Sequence, residues 1–320
     1  MTYINHIYLE NAETGIKNHI PDGVIDCCIS SPAYWGLRDY KHDDQLGNEP
    51  DFNTYLDRLV AIYDHVYRAL KPTGTCFVHL GDTSGGGGAG TTTKADIEKY
   101  KENSKKSYIM PNSTAISNSL RGTPLNKCLL MIPERFALRM IDRGWILRNK
   151  IIWHKPNQMP SPADDRFTVD FENIYFFTKQ DKGYYFEQQL EPYTKPMNRW
   201  GGEQNTANGK SAWSEGTGQQ AYRNRSLRPN EDGKNMRTVW SINTVPFGDA
   251  HFATYPEKLV ERMIKSGCPV GGITLDPFMG AATTAVVARK LGRNYTGFEI
   301  NEEYLNLGND RLFKELGMFL

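Results

Sequence analysis

The chain has 320 residues, of which 39% are hydrophobic and 23% are charged, and its formal net charge at pH 7 is +1. These values are typical of an ordinary soluble globular protein and exclude one that is basic overall. A nucleic-acid partner would therefore need positive charge concentrated on one face.

The cysteines and the chain start give no sign of metal binding or export. The cysteines form an odd set without the C-x-x-C spacing of zinc sites or redox pairs, and we expect them to be reduced core thiols. They are Cys27, Cys28, Cys76, Cys128 and Cys268. The first residues show no signal-peptide pattern, and no apolar stretch is long enough to span a membrane. We therefore expect a cytoplasmic protein with no metal and no membrane partner.

The first 80 residues alternate strands and helices. Apolar runs predict strands at 4–9, 24–30 and 75–80, and helical spacing of apolar residues predicts helices at 14–19 and 52–70. The run at 24–30 is an apolar segment rich in β-branched residues and cysteine, which favours a strand buried on both faces of a parallel sheet. This alternation is typical of an α/β fold.

The middle of the chain contains two polar stretches. Residues 81–126 have a glycine run and scattered lysines, which predicts a surface loop that is either a lid or disordered. A helix at 133–143 and strands at 145–153 and 172–178 follow. Residues 195–237 then carry eight Lys or Arg against four acidic residues, interleaved with aromatic residues.

The C-terminal part is predicted to form a βαβα unit after a helix at 256–265. Strands are expected at 273–275 and 295–298, and helices at 282–291 and 302–316.

A turn of small residues follows the strand that ends near Asp276. Such a turn lets a ligand approach the backbone closely. Glu299 lies 23 residues after Asp276, at the end of the next strand, where a carboxylate can accept both hydroxyl hydrogens of a ribose. Because G-x-G-x-x-G is absent, the pattern favours a nucleoside without phosphates, such as S-adenosylmethionine, over a dinucleotide. The alternative is an ordinary turn with a surface glutamate.

Ser31-Pro32-Ala33-Tyr34 ends the buried strand at 24–30. A serine hydroxyl and a proline-fixed carbonyl can accept the two hydrogens of a base amino group, and Tyr34 can stack on a base extruded from a duplex. Methyl transfer to that nitrogen then depends on positioning and needs no metal. The alternative is a Ser-Pro turn capped by core aromatic residues.

With these motifs in this order, the chain resembles the β-class DNA amino-methyltransferases of restriction-modification systems and phages. These enzymes are circularly ordered: an S-P-P-Y or D-P-P-Y tetrad lies near the N-terminus, and D-P-F-x-G lies near the C-terminus. The resemblance extends through residues 35–40, 144–157 and 251–259.

The resemblance implies a Rossmann-like α/β fold with a mixed seven-stranded sheet, helices on both faces and a small inserted recognition module. Residues 1–180 would form the catalytic half, 181–246 the target-recognition insert and 247–320 the cofactor-binding half. The strand at 4–9 would be third in the family's order. Arginines in the insert could read guanine edges and phosphates, and its aromatics could stack on bases. A solvated loop is the alternative.

The resemblance also implies roles for individual residues. The catalytic residues would be Ser31, Pro32 and Tyr34. The cofactor-binding residues would be Asn11, Ser30, Phe252, Thr254, Asp276, Phe278, Gly280, Thr283, Thr284 and Glu299. The DNA-binding residues would be Trp35, Arg38, Lys155, Arg223, Arg225, Arg228 and Arg237. Two positions depart from the family pattern: Asn11 replaces an aspartate expected to meet the cofactor adenine, and Ala33 replaces the second proline of the tetrad.

The expected reaction is methyl transfer from S-adenosylmethionine to the N4 amino group of a flipped-out cytosine in double-stranded DNA, because a serine opens the tetrad. Adenine-N6 methylation is the alternative, followed by a non-catalytic DNA-binding relative and by methylation of RNA or a protein amide. A cognate restriction endonuclease would fit such an enzyme. Monomer and homodimer both remain open.

Overall fold

The structure is a computed structural model, and it describes residues 3–37, 42–86, 120, 122–161, 163–193, 232–245 and 255–317. The chain divides into two compact units. One comprises Met1–Glu187 and Thr238–Leu320, and the other is Gln188–Arg237. The smaller unit contains two short antiparallel strands, Leu190–Glu191 (β6) and Lys234–Asn235 (β7), and it lies within the 181–246 segment that the sequence assigns to an insert.

The larger unit is built on one mixed sheet, which has eight strands in the described residues. In sheet order they are His6–Leu9 (β1), Asn294–Glu299 (β10), Ile273–Asp276 (β9), Ile25–Ser30 (β2), Leu70–Leu80 (β3), Phe171–Thr178 (β5), Ile146–His154 (β4) and Val239–Ser241 (β8). The first five run parallel, β5 is antiparallel to β3 and β4, and β8 pairs parallel with β4.

Six helices of the described residues pack in two groups. The first group is Ala12–His19 (α1), Phe52–Ala69 (α2) and Ile132–Asp142 (α3); the second is Glu257–Gly267 (α4), Thr283–Lys290 (α5) and Glu302–Leu316 (α6). Neighbouring residues of β10 meet different groups: Phe298 lies against Gly15 of α1, whereas Gly297 lies against Met279, just before α5. Because successive strand residues point to opposite faces, the helix groups cover both faces of the sheet.

Local sequence accounts for these elements. Every residue of β2 is buried, as its apolar run predicts for a central parallel strand. At the start of α2, Asp51 Oδ1 accepts hydrogen bonds from the backbone amides of Asn53 and Thr54, and thus caps the helix. Leu56, Leu59 and other apolar residues of α2 at helical spacing are fully buried.

The predicted α/β fold with a mixed sheet is confirmed, and three details differ from the sequence-based expectations. An eighth strand, β8, joins the sheet through hydrogen bonding to β4 from within the segment assigned to the insert. Strand β3 begins at Leu70, before the predicted 75–80, because it pairs with β2 on both sides of an irregularity. Cys128 is exposed, whereas the other four cysteines are buried. No helix of the described residues has the length and apolar character required to cross a bilayer.

Candidate active site

A cavity of about 620 Å³ lies at the carboxyl ends of the parallel strands in the larger unit. Ligands bind at this edge in open α/β sheets, because the loops that follow the strands converge there. The cavity is lined by the predicted tetrad, Ser31–Tyr34, by residues 277–281 after β9, and by Glu299 at the end of β10. The structure therefore brings together motifs that lie more than half the chain apart.

Asp276 fixes the turn after β9 through hydrogen bonds. It is fully buried; its Oδ1 accepts a hydrogen bond from the amide of Phe278 at 3.0 Å, and its Oδ2 accepts from the hydroxyls of Thr284 at 2.5 Å and Tyr255 at 2.9 Å. Burial raises the pKa of Asp276 to about 6, although these donors oppose the shift. Asp276 and Thr284 are not among the cavity-lining residues, so they position the turn rather than line the site.

Glu299 presents a carboxylate to the cavity. Its Oε2 accepts from the amide of Gly280 at 2.8 Å, and its Oε1 accepts from the amide of Asn301 at 2.9 Å. Gly280 has a φ of +53°, a left-handed conformation that favours glycine. Burial raises the pKa of Glu299 to about 7, despite the backbone donors. Each oxygen keeps a lone pair for a further donor.

Asn11, Phe278 and Thr283 complete the expected cofactor side of the cavity lining. Asn11 also caps α1: its Oδ1 accepts from the amide of Glu13 at 2.8 Å, and its Nδ2 donates to the carbonyl of Asp44 at 3.3 Å. The side chain is therefore fixed in orientation.

The tetrad side of the cavity contains a hydrogen-bond network. Ser31 Oγ lies 3.0 Å from His79 Nδ1, and His79 Nε2 lies 2.6 Å from Glu172 Oε2. The Tyr34 hydroxyl donates to Glu172 Oε2 at 3.1 Å and lies 3.2 Å from His79 Nε2. Burial, followed by the Glu172 charge, raises the pKa of Tyr34 well above its usual range, so its hydroxyl remains a donor.

Glu172 and Lys155 form an ion pair at the cavity wall, with 2.6 Å between Glu172 Oε1 and Lys155 Nζ. Burial alone would raise the pKa of Glu172, but His79 and Lys155 outweigh it and lower the pKa to about 2. Glu172 is therefore anionic at neutral pH, with both oxygens engaged by donors.

The backbone around the tetrad is also constrained. The Tyr55 hydroxyl donates to the carbonyl of Ala33 at 2.8 Å, whereas no described residue donates a hydrogen bond to the carbonyl of Pro32. A Cβ on Gly81 would lie 2.4 Å from Tyr34 Cε2, so the Tyr34 ring sits where only glycine leaves room. Pro32 thus keeps a free acceptor, and the replacement of proline by Ala33 leaves that acceptor in place.

Besides Asp276 and Thr284, two predicted site residues require correction. Ser30 is 1% exposed and its hydroxyl bonds to that of Tyr63 at 2.6 Å, so it belongs to the core and not to the cofactor site. Trp35 is also core: it is 5% exposed, and its indole N–H donates to the carbonyl of Glu49 at 2.9 Å, so its ring cannot face DNA. Lys155 lines the cavity and pairs with Glu172 there, and its contact with DNA stays a prediction.

The remaining predicted residues fall outside the larger unit or outside the described residues. Arg237, in the smaller unit, has an exposed side chain whose Nε donates to Glu191 Oε1 at 2.6 Å. The rest of the predicted set lies outside the described residues. These are Arg38, Arg223, Arg225, Arg228, Phe252 and Thr254, together with most of the 81–126 loop.

Sequence reasoning missed His79 and Glu172. His79 is the penultimate residue of β3, and its position near the carboxyl end of a buried parallel strand was the available signal. Glu172 is the second residue of the antiparallel strand β5 and reaches the site because β5 pairs with β3. In the described part of the chain, no group of three or more His, Cys, Asp or Glu side chains is arranged to hold a metal ion.

Comparisons with known proteins identify relatives of this chain. A family model described as DNA methylase matches residues 25–310. The Type II methyltransferase M.SmaI of Serratia marcescens is 34% identical over 292 residues, which cover 91% of this chain and 85% of that protein. The Type II methyltransferase M.Cfr9I of Citrobacter freundii is 33% identical over 303 residues, with coverage of 95% and 86%.

Solved structures show the same fold. The Thermus thermophilus protein TTHA0409, whose crystals contain S-adenosyl-L-methionine, matches with a TM-score of 0.57 at 19% identity, covering 98% of this chain and 95% of that one. The cytosine-N4-specific PvuII DNA methyltransferase matches with a TM-score of 0.59 at 17% identity, covering 96% and 85%.

Proposed function

The chain belongs to the DNA methylase family, and from that premise we propose that it transfers a methyl group from S-adenosylmethionine to the N4 amino group of a cytosine in duplex DNA. The observation that carries the proposal is the shared cavity. Ser31 and Pro32 line the same space as the turn after β9 and Glu299. An amino group at the tetrad and a methyl donor at the turn would therefore meet within one enclosure.

The residues on the cofactor side fit S-adenosylmethionine. Glu299 is a carboxylate with a free lone pair on each oxygen, as a ribose diol requires, and Gly280 leaves the adjacent turn without a side chain. Asn11 and Phe278 would border the adenine. The bound cofactor supplies an electrophilic methyl group on a positively charged sulfur.

The tetrad residues can prepare the base. The Ser31 oxygen and the Pro32 carbonyl are acceptors on the cavity wall, and together they can hold the two hydrogens of an exocyclic amino group. This fixes the direction of the nitrogen lone pair. Tyr34, anchored through its hydroxyl to Glu172, offers a ring on which a flipped-out base can stack.

Serine at the first tetrad position favours cytosine-N4 over adenine-N6 as the target. The PvuII enzyme, described as cytosine-N4-specific, has the same fold as this chain, so the fold is compatible with that target. Adenine-N6 methylation remains the second candidate, because either amino group can donate two hydrogen bonds to Ser31 and Pro32.

DNA recognition is proposed for the 181–246 insert and for Arg237, whose side chain is 69% exposed while paired with Glu191. The relatives M.SmaI and M.Cfr9I are Type II methyltransferases, which supports a role beside a cognate restriction endonuclease.

A transfer assay tests the substrate class. The protein is incubated with cofactor carrying a labelled methyl group and with duplex DNA, RNA or a protein mixture in competition. We expect label in DNA alone, and loss of that label in Ser31→Ala while cofactor affinity is retained. Label in RNA or protein, or undiminished transfer by Ser31→Ala, would refute the proposal.

A further inference from the structure

His79 lines the cavity beside Ser31 and is almost completely buried, at 4% exposure. Its two ring nitrogens have different partners: Nδ1 lies 3.0 Å from Ser31 Oγ, and Nε2 lies 2.6 Å from Glu172 Oε2. Ser31, His79 and Glu172 therefore form a continuous series of hydrogen bonds along the cavity wall.

The negative charge of Glu172 determines which way the hydrogen bonds between Ser31, His79 and Glu172 run. An ionised carboxylate can only accept hydrogen bonds, so His79 Nε2 must carry the hydrogen between them. In the neutral imidazole, Nδ1 is then unprotonated and accepts the Ser31 hydroxyl hydrogen. With its hydrogen turned towards His79, the Ser31 oxygen presents only lone pairs to the cavity.

Resting on the proposed function, we propose that His79, oriented by Glu172, is a positioning residue that receives through Ser31 the proton that the methylated amino group must lose. A tetrad made only of amide and carbonyl acceptors could hold this proton but could not take it up. The hydrogen bond between Ser31 and His79 adds a proton acceptor, the His79 imidazole, to the site.

The methyl transfer accounts for every proton and for the electron pair of the broken bond. Methyl transfer forms the carbon–nitrogen bond, and the electron pair of the broken sulfur–carbon bond stays on sulfur. The amino nitrogen, which now carries two hydrogens and a positive charge, gives one proton to Ser31 Oγ. Ser31 gives its own proton to His79 Nδ1, and the resulting imidazolium is stabilised by Glu172. After product release, the proton returns through Ser31 to water.

The groups that face His79 come from several elements. Glu172 on β5 carries one negative charge, and Lys155, after β4, neutralises its second oxygen. Tyr34 approaches from the loop after β2, and the Tyr255 ring lies 6.2 Å away, before α4. The Trp153 ring, at 5.3 Å, completes an apolar wall. Of these groups, Glu172 is the only anion in contact with the imidazole, so it is the group that stabilises the imidazolium.

The kinetic test is the pH profile of single-turnover methylation at saturating cofactor. His79→Asn keeps an acceptor near Ser31 but cannot take up a proton. We expect its rate at about pH 8 to be about 100-fold lower, with a flat profile. Glu172→Gln should also lower the rate, whereas His65→Asn on α2, outside the cavity lining, should match wild type.

A second measurement does not depend on turnover or on the variants folding. Nitrogen-15 NMR of the free wild-type protein should show His79 as the Nε2–H tautomer. The Nδ1–H tautomer, or a His79→Asn profile identical to wild type, would overturn the inference. If the wild-type protein transfers no methyl group to DNA while His79 is the Nε2–H tautomer, the proposed function fails and the hydrogen-bond arrangement stands.

Discussion

The backbone amide of Gly280 donates a hydrogen bond of 2.8 Å to Glu299 Oε2, which ties the turn after β9 to the end of β10. Asn301 holds the other carboxylate oxygen at 2.9 Å. Glu299 is therefore oriented before any ligand arrives, and binding a ribose diol would cost little side-chain entropy.

Glu299→Gln should weaken cofactor binding. The amide has one acceptor oxygen instead of two and no charge, so one charge-assisted hydrogen bond is lost, which corresponds to about 1.5–3 kcal/mol or about 10- to 100-fold in affinity. Isothermal titration calorimetry with S-adenosylmethionine measures the change. Glu303→Gln, at an exposed position in the first turn of α6, is the matched control and should bind as wild type does. Equal affinities for both variants would contradict the assignment.

Cofactor affinity should rise with pH. Burial raises the pKa of Glu299 to about 7, and the ionised form is the better acceptor for ribose hydroxyls. Ionising the buried Glu299 carboxyl costs free energy, so the ligand-free protein loses stability as pH rises through about 7. Cofactor binding becomes tighter over the same range. Affinity should therefore increase about 10-fold between about pH 6 and pH 8. Titrations at both pH values measure it, and Glu299→Gln should remove most of the dependence. A wild-type affinity that is constant over this range would contradict the prediction.

Gly81→Ala should lower the rate of methylation without changing the affinity for S-adenosylmethionine. The new Cβ would lie 2.4 Å from Tyr34 Cε2, so the ring must move and its hydrogen bond to Glu172 would be strained or lost. Base–aromatic stacking contributes about 1–3 kcal/mol, so the single-turnover rate at limiting DNA should fall about 10- to 100-fold. The dissociation constant for S-adenosylmethionine serves as the internal control and should be unchanged. A wild-type rate would show that the Tyr34 ring position is not required.

Trp35→Ala should destabilise the fold. The side chain is 5% exposed, packs edge-on against Phe52 and donates a hydrogen bond to the carbonyl of Glu49. Removing it should lower the free energy of unfolding by about 3–5 kcal/mol in urea titrations. If Trp35 instead contacted DNA, the variant would keep its stability and lose DNA affinity.

Much of the fold follows from local sequence pattern. The mostly apolar sequence of β2 and the helical spacing of apolar residues in α2 both reflect which residues are buried. Asp276 and Glu299 could be placed at one edge of the sheet because parallel strands align their carboxyl ends.

The incorrect predictions concern positions where a shift of one residue along the chain moves a side chain from the core to the cavity. Ser30 is the last residue of β2 and points to Tyr63 in the core, whereas Ser31 lies beyond the strand and faces the cavity. Glu172 could not be found because it reaches His79 through pairing between β3 and β5, whose register is not apparent in either segment alone.

The most direct test of the account is the identity of the methylated nucleoside. Duplex DNA is incubated with the protein and S-adenosylmethionine, digested to nucleosides and analysed by mass spectrometry, with Ser31→Ala processed in parallel. The account predicts N4-methylcytosine with wild type and none with Ser31→Ala. N6-methyladenine without N4-methylcytosine would contradict it.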